Sequence, residues 1–271
     1  MCMRSLYCLY SGFEASPRKG PLKPVSFYSV AKNFVVAPVV NTTFRPWVRG
    51  LHNIPSEGPA ILAANHLSFS DSVFMPVKVP RQVHFMAKDD YWGKQGVSGW
   101  AMRKFFDLSG QIPMDRSGGT ASQNSLNAGE QALRNGSVLG IYPEGTRSPD
   151  GRLYRGKLGI ARLALNTQAP VIPIALIGTD KVQPIGKNIP RLGRVGMIVG
   201  EPMTFESYYG NADDRFAQRA VTDEIMYRIM RLSGQEYVDV YASDVKRQLE
   251  AEKSAAKAVR KAQRRQGDAD F

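Results

Sequence analysis

The sequence predicts one α/β domain in which a mostly parallel or mixed central sheet is flanked by helices. Between residues 60 and 199, short runs rich in Val and Ile alternate with amphipathic stretches. Strand–helix alternation of this kind is typical of a sheet that carries helices on its faces. No repeat of 20–50 residues is visible, and no linker divides the 271 residues. The length also suits two small domains, but the pattern favours a single one.

The individual elements follow from these runs and from the turn residues that usually bound them. The predicted strands are Ala60–Ala64, His84–Ala87, Gly110–Met114, Val138–Tyr142, Val171–Ile177 and Val195–Val199. The helices predicted between them are Asp71–Val77, Val97–Leu108, Thr120–Arg134 and Lys157–Asn166. Charged helices over Asp213–Leu232 and Val238–Arg265 close the chain, and the end of the second has too little apolar surface to pack. We therefore divide the chain into an N-terminal segment (1–48), an α/β domain (49–210) and a C-terminal helical extension (211–271).

The charge of the chain predicts an anionic partner. It has 36 Lys and Arg against 24 Asp and Glu, a formal net charge of +12. Nucleic acid, a phosphorylated small molecule and an anionic membrane surface all fit this excess. No helix-turn-helix, zinc-finger or aromatic RNA-binding pattern is present, which argues against nucleic acid. Half of the excess lies in residues 1–50, which hold seven basic residues and one acidic residue.

The N-terminal segment combines this charge with apolar residues. Lys32, Asn33, Pro38 and Asn41 interrupt the apolar run over residues 24–48, whereas a membrane span needs about 20 nearly uninterrupted apolar residues. The run also lacks the features of a signal peptide. An interfacial segment on an anionic bilayer is the favoured interpretation, and a core helix that leads into the first strand is the alternative. With only two cysteines, no disulfide framework is expected, so a reducing compartment is the default.

The first chemistry-bearing motif is Asn65-His66-Leu67-Ser68-Phe69-Ser70-Asp71, directly after the strand Ala60–Ala64. One turn into a helix would let Asp71 bind one ring nitrogen of His66 and leave the other as a general base. Such a pair suits removal of a proton from a substrate hydroxyl. The alternative is a strand-end histidine beside an aspartate that only caps the helix.

The second motif, Tyr142-Pro143-Glu144-Gly145-Thr146-Arg147-Ser148, follows the strand Val138–Tyr142. Gly145 permits an unusual turn, and Arg147 offers a guanidinium fork that matches phosphate. Loops at the carboxyl ends of strands are where open α/β sheets hold ligands. The alternative is an ordinary turn with a salt bridge between Glu144 and Arg147.

Two further motifs are weaker when taken alone. Gly110-Gln111-Ile112-Pro113-Met114-Asp115-Arg116 is a strand that ends on an arginine, which by itself indicates a surface ion pair. Ala169-Pro170-Val171-Ile172-Pro173-Ile174-Ala175 is an apolar strand with two prolines, which by itself indicates core.

In this order and spacing, the four motifs closely resemble the signature blocks of the glycerophospholipid acyltransferase family, whose best-known members are the 1-acylglycerol-3-phosphate acyltransferases. The sequences around residues 48–55 and 85–88 also resemble the family, and the resemblance extends over roughly residues 45–205. It implies that His66 is the general base for the acceptor hydroxyl, which attacks an acyl thioester directly. It implies that Asp71 orients His66 and stabilises its imidazolium.

The resemblance also implies how the acceptor is bound. Glu144, Gly145, Thr146 and Arg147 would form the acceptor-binding loop. Arg147 and Arg116 would neutralise its phosphate, Lys88 would be a further phosphate candidate, and Pro173 would shape the strand beside the pocket. A backbone N–H of the loop 144–146 is our candidate for the oxyanion stabiliser.

By resemblance, the chain transfers an acyl group from acyl-CoA or acyl-carrier protein to 1-acylglycerol-3-phosphate (lysophosphatidic acid), giving phosphatidic acid. The thioester supplies the driving force, so we expect neither a metal nor a cofactor. We expect a peripheral protein on the cytoplasmic face of the cell membrane. Its expected partner there is an anionic membrane surface, and no nucleic acid partner is expected. Two alternatives stay open: an acyltransferase or transacylase for another lysophospholipid or glycolipid, and a catalytically silent membrane or nucleic-acid binding protein. The intact pair of His66 and Asp71 argues against the silent protein.

Overall fold

A seven-stranded sheet forms the centre of the computed structural model, which describes residues 30–88, 111–114, 120–187 and 189–267 together with residues 96, 99 and 100. Its strands are β1 (Trp47–Arg49), β2 (Ala60–Ala64), β3 (Val83–Lys88), β4 (Ile112–Met114), β5 (Val138–Ile141), β7 (Val171–Ile177) and β8 (Gly196–Val199). The strand order is β1-β8-β7-β2-β5-β3-β4, and every pair is parallel except β7 with β8. Two short strands, β6 (Leu153–Tyr154) and β9 (Tyr237–Val238), pair separately. The predicted fold class is confirmed.

The helices lie before, between and after the strands. A π-helical turn (Ala31–Val36) continues into α1 (Ala37–Phe44), and the later helices are α2 (Asp71–Lys78), α3 (Thr120–Arg134), α4 (Gly159–Thr167), α5 (Thr179–Val182), α6 (Arg215–Ser233) and α7 (Ala242–Gly267). Short 3-10 turns cover Leu51–Asn53 and Glu206–Tyr208. The predicted bounds of β2, β7 and α3 coincide with the observed ones. Apart from residues 99 and 100, the predicted helix Val97–Leu108 lies outside the described residues.

Two apolar layers cover the sheet, one on each face. On one face, Ile61 of β2 lies in a cluster with residues of α4 and α6; on the other, Leu62 lies in a cluster with Met75 of α2. All five residues of β2 are buried, as expected for a parallel strand covered on both sides. Val221 and Ile225 of α6 belong to the first cluster. The first helix of the predicted C-terminal extension therefore packs into the same core as the central domain.

The N-terminal helix packs on one side and exposes apolar residues on the other. Val40 is buried in a cluster with Phe74 of α2, Val182 and Val195. The exposed residues are Val30, Phe34, Val35 and Val39. The buried face agrees with the alternative of a core helix that leads into the first strand, and the interfacial interpretation stays a prediction. Within the described residues, no helix has both the length and the apolar character that a membrane span requires.

Lys32 does not face a partner surface, although the basic residues of the N-terminal segment are expected to face anionic lipid. Its side chain is 9% exposed, and its ammonium donates to the carbonyl oxygen of Val79, just past the end of α2. Burial lowers the pKa of Lys32. This lysine therefore fastens the N-terminal helix to α2 and is not among the charges that face a partner.

Candidate active site

The two principal motifs meet because β2 and β5 are neighbouring parallel strands. Ala63 of β2 is in register with Ile141 of β5, so both strands end at the same edge of the sheet. The residues that follow each strand, His66 after β2 and Tyr142 after β5, consequently lie side by side. This is the edge at which α/β sheets hold ligands.

His66 and Asp71 form the predicted pair. Nδ1 of His66 lies 2.9 Å from Oδ2 of Asp71, which also accepts hydrogen bonds from the backbone N–H groups of Leu67 and Ser68 at 2.7 Å. The side chain of Asp71 is fully buried, whereas that of His66 keeps 16% of its exposure. Since the carboxylate accepts, the proton of the neutral ring is on Nδ1, and Nε2 is left with a free lone pair. No hydrogen bond among the described residues uses Nε2.

Tyr142 holds the face of the same ring, a role that the sequence did not indicate. The two ring centroids are 3.9 Å apart and the planes are within 10° of parallel. The ring of Phe85 in turn stacks on Tyr142 at 5.7 Å. Phe85 has this position because residue 140 is glycine: a Cβ at Gly140 would lie 2.6 Å from the phenyl ring. The imidazole is thus fixed at its edge by a carboxylate and on its face by a phenol.

The loop after β5 is bound to the backbone of His66 at two points. Oε1 of Glu144 accepts from the N–H of His66 at 3.2 Å, and the N–H of Ser148 donates to the carbonyl oxygen of His66 at 2.7 Å. Oε2 of Glu144 accepts from the N–H of Tyr154 at 3.0 Å. The loop and the histidine are therefore held as one unit. Any part that Glu144 takes in acceptor binding is exerted through this loop, since its carboxyl group is buried and both oxygens are occupied.

The alternative of a Glu144–Arg147 salt bridge is not observed. Among the ion pairs that join described residues, none includes Arg147, which is partly exposed. Burial raises the pKa of Glu144 to about 8, although its two backbone hydrogen bonds act in the opposite direction. At neutral pH, Glu144 is therefore mostly uncharged, and the positive charge of Arg147 is left available for a ligand.

Gly145 and Thr146 form the turn of this loop. Gly145 has a φ of +72°, a conformation that favours glycine, and its N–H donates to the carbonyl oxygen of Tyr142 at 2.9 Å. Of the N–H groups considered for an oxyanion site, that of Gly145 is thus already engaged in the turn. Oγ1 of Thr146 accepts from Nζ of Lys246 at 3.0 Å, which brings α7 to the loop. No sequence pattern indicates this contact, since the two residues are 100 positions apart.

Three further residues, Pro173, Lys88 and Arg116, are predicted to belong to the site. Pro173 is buried in β7 and in register with Ala63, next to the strand that leads to His66. Lys88 is the last residue of β3, but its side chain lies outside the described residues, as does Arg116.

No group of His, Cys, Asp or Glu side chains in the described parts of the chain is arranged to hold a metal ion.

Asn65, the first residue of the first motif, has a structural role that sequence reasoning missed. Its Oδ1 accepts from the N–H of Leu176 at 2.7 Å, and its Nδ2 donates to the carbonyl oxygen of Leu176 at 3.1 Å. The side chain thereby extends the pairing of β2 with β7 by one residue beyond Ala64. It also donates to Oε1 of Gln235 at 2.7 Å. Asn65 thus fixes the end of β2 and, with it, the position of His66, the next residue.

Known proteins share the part of the chain that carries these motifs. Residues 45–177, which include all four motifs, match the family model described as Acyltransferase. These 133 of the 271 residues form an acyltransferase-family segment. The resemblance that the motifs carry is thereby confirmed at the level of the family.

Similar acyltransferases come from plants and bacteria. A chloroplast 1-acyl-sn-glycerol-3-phosphate acyltransferase from Brassica napus is 32% identical over 175 residues, which are 64% of this chain and 48% of that protein. The 1-acyl-sn-glycerol-3-phosphate acyltransferase of Bacillus subtilis is 27% identical over 66% of this chain and 84% of its own. The chain thus spans about half of the plant relative's length.

One solved structure supports the fold. The 1-acyl-sn-glycerophosphate acyltransferase PlsC from Thermotoga maritima superposes with a TM-score of 0.55 at 22% identity. The match covers 71% of this chain and 76% of that protein. At this identity, the likeness concerns the architecture of the sheet and its helices.

Proposed function

We propose that the protein transfers an acyl chain from an acyl thioester to the free hydroxyl of 1-acylglycerol-3-phosphate, giving phosphatidic acid. The observation that carries the proposal is the 2.9 Å contact between His66 and Asp71, held against a loop that presents Arg147. The names of the Brassica napus and Bacillus subtilis relatives point to the same acceptor. The donor is acyl-CoA or acyl-carrier protein, since both present the thioester that this chemistry uses.

In the proposed mechanism, Nε2 of His66 removes the proton of the acceptor hydroxyl while its oxygen attacks the thioester carbonyl. The C–S bond then breaks, and the leaving thiolate takes the proton back from the imidazolium. Asp71 stabilises that imidazolium because its Oδ2 already binds Nδ1. General-base assistance of this kind contributes about 10²–10⁴-fold to a rate. Within the protein, His66 is the one group whose protonation state this mechanism changes.

We propose that Arg147 binds the phosphate of the acceptor. Its guanidinium has no carboxylate partner among the described residues, and the loop that carries it is bound to the backbone of His66. A phosphate on this arginine would therefore be held at a fixed position relative to the general base. Bidentate arginine–phosphate contacts provide this kind of geometric control. Gly145 and Thr146 shape the loop, while Arg116 and Lys88 remain proposed phosphate ligands on the strength of the resemblance.

We further propose that the protein works at an anionic membrane surface. The apolar residues exposed on the N-terminal helix support this location, and so does the segment 181–194. Ile189 and Leu192 of that segment are each 82% exposed. The segment carries four basic residues and no acidic one: Lys181, Lys187, Arg191 and Arg194. Exposed apolar side chains beside uncompensated positive charge are typical of interfacial binding to anionic lipid.

The experiment that tests the proposed reaction crosses acyl donors with lyso-acceptors, using purified protein and mass spectrometry of the products. We expect phosphatidic acid from lysophosphatidate and either acyl-CoA or acyl-carrier protein, and we expect His66→Ala to abolish it. A protein that acylates only other lysophospholipids or a glycolipid would overturn the acceptor assignment. Turnover near wild type in the His66→Ala protein would overturn the mechanism, provided that its circular dichroism spectrum matches wild type.

A further inference from the structure

A lysine of the last helix reaches the acceptor-binding loop from outside the part of the chain that carries the four motifs. Lys246 is near the start of α7, is half-buried, and donates from Nζ to Oγ1 of Thr146 at 3.0 Å. Building on the function proposed above, we propose that Lys246 and Arg147 together bind the phosphate of the acceptor, and that Lys246 selects a phosphomonoester over a phosphodiester. The C-terminal helix would then complete the phosphate site.

The start of α7 is fixed beside the loop by backbone contacts. Leu153 and Tyr154 of β6 pair with β9, and the N–H of Arg155 donates to the carbonyl oxygen of Val240 at 3.0 Å. Ala242, the first residue of α7, is fully buried. Lys246 therefore projects from an anchored turn. Its position near Thr146 does not depend on the exposed end of the helix.

The charges around Lys246 leave room for an anion. Burial and then the nearby positive charge of Arg147 lower the pKa of Lys246. Glu250, an exposed residue one turn later, acts in the opposite direction, but no ion pair among the described residues includes Lys246. Glu144, the acid of the loop itself, has a pKa of about 8 and is mostly uncharged at neutral pH. Two neighbouring cations without a carboxylate between them repel one another, and a bound anion removes that repulsion.

Of the cations proposed for this site, the two whose side chains the structure describes, Arg147 and Lys246, match the charge of the proposed ligand. A phosphomonoester carries a charge of about −1.5 to −2 near pH 7, because its second pKa is about 6. A phosphodiester carries a single negative charge. Arg147 alone is enough for one charge and supplies the fork that orients phosphate. Lys246 adds a second point charge, which benefits the monoester more than the diester.

The test is Lys246→Met, which keeps the length of the side chain and removes its charge. We expect the KM for lysophosphatidate to rise about tenfold or more, since a contact to a charged group is lost. The KM for the acyl donor and the kcat at saturation should stay at wild-type values. The preference for lysophosphatidate over lysophosphatidylglycerol should fall by a similar factor, and Lys246→Arg should restore most of it. Lys253→Ala, an exposed lysine two turns further along α7, is the matched control and should behave as wild type.

A merely structural role for Lys246 predicts a different result. In that case, Lys246→Met lowers the melting temperature and changes both KM values together, without altering the choice between the two acceptors. Either this pattern or an unchanged KM for lysophosphatidate overturns the proposal.

A binding measurement separates this inference from the proposed function. Calorimetry would use a short-chain lysophosphatidate and the matching monoacylglycerol with the His66→Ala protein, with and without Lys246→Met. A loss of the phosphate-bearing ligand's advantage in the double variant supports the site, even if the wild type fails to acylate lysophosphatidate. Suppose instead that the wild type makes phosphatidic acid, but the double variant binds both ligands as tightly as His66→Ala alone. Lys246 is then excluded as a phosphate ligand, and the proposed function stands. If the two ligands bind equally to His66→Ala itself, the phosphate site is wrong.

Discussion

The phenol ring of Tyr142 lies 3.9 Å from the imidazole of His66, with the two planes 10° from parallel. Together with the contact to Asp71, this stack restricts the tilt and the rotation of the histidine. Burial, followed by the negative charge of Asp71, raises the pKa of Tyr142 well above its usual value. The ring is therefore neutral throughout the working pH range and orients the base without adding a charge.

Replacing Tyr142 should lower kcat according to how much of the ring is lost. Tyr142→Ala removes the face on which His66 rests, so we expect kcat to fall markedly, with little change in the KM for either substrate. Tyr142→Phe keeps the ring and gives up only a 3.3 Å contact with Ser72, so it should stay close to wild type. Steady-state kinetics measure both variants. Equal losses in the two would show that the hydroxyl, and not the stack, is what matters.

Asp71→Asn should lower kcat by about 10²–10⁴-fold, a range typical of general-base assistance. The substitution removes the charge that stabilises the imidazolium, and it leaves the size of the side chain unchanged. Both backbone donors, Leu67 and Ser68, also bind Oδ2, so the stability of the variant has to be measured beside its turnover. Chemical denaturation provides that control. A folded Asp71→Asn protein with wild-type kcat would contradict the assigned role.

The parts of the fold that sequence predicts are those set by local patterns. The strands β2 and β7 have the predicted bounds because each is a continuous apolar run, and the helix α3 has them because its apolar residues follow helical spacing. The pairing of β6 with β9 involves two residues on each side and is made by contacts more than 80 positions apart. A run of that length carries no readable period, so such strands are beyond a pattern-based prediction.

In the candidate site, too, local sequence patterns predict some contacts, and long-range packing determines the others. His66 and Asp71 are five residues apart, so one turn of chain brings them together, and the spacing alone suggests the pair. Tyr142 and Lys246 reach the site through the strand order and through the placement of α7, which spacing does not encode. In the sequence, Lys32 is one of the residues that interrupt the apolar run of the N-terminal segment, and its side chain is buried because the N-terminal helix packs on α2.

Ile189→Asp combined with Leu192→Asp should weaken binding to anionic vesicles. Both side chains are 82% exposed in the basic segment 181–194, and each acidic replacement removes apolar contact and adds repulsion from the lipid. Sedimentation with vesicles that contain phosphatidylglycerol, compared with pure phosphatidylcholine, measures the effect. Phe216→Asp is the control, because Phe216 is an equally exposed apolar residue on α6, at 88%. Loss of binding in the control but not in the double variant would move the membrane contact to α6.

Glu144 makes the free energy of unfolding depend on pH. Its pKa is about 8 in the folded protein, because of burial, against an ordinary value of 4.5. Between these values, the unfolded chain has lost the proton and the folded chain keeps it. The free energy of unfolding therefore decreases as the pH rises from about 4.5 to about 8, with a slope of up to about 1.4 kcal/mol per pH unit.

Glu144→Gln removes this titration, so the variant should lack the corresponding slope. At pH 5, we expect it to be less stable than wild type by about 1–3 kcal/mol, because an amide nitrogen replaces one of two oxygens that accept backbone hydrogen bonds. This difference should shrink or reverse towards pH 8, since the wild type alone loses stability through this group. Urea unfolding at pH 5, 6.5 and 8 measures both proteins, and other titrating groups cancel in the comparison. A difference that is constant across these pH values would mean that Glu144 is ionised in the folded protein, and that its negative charge offsets the cations of the loop.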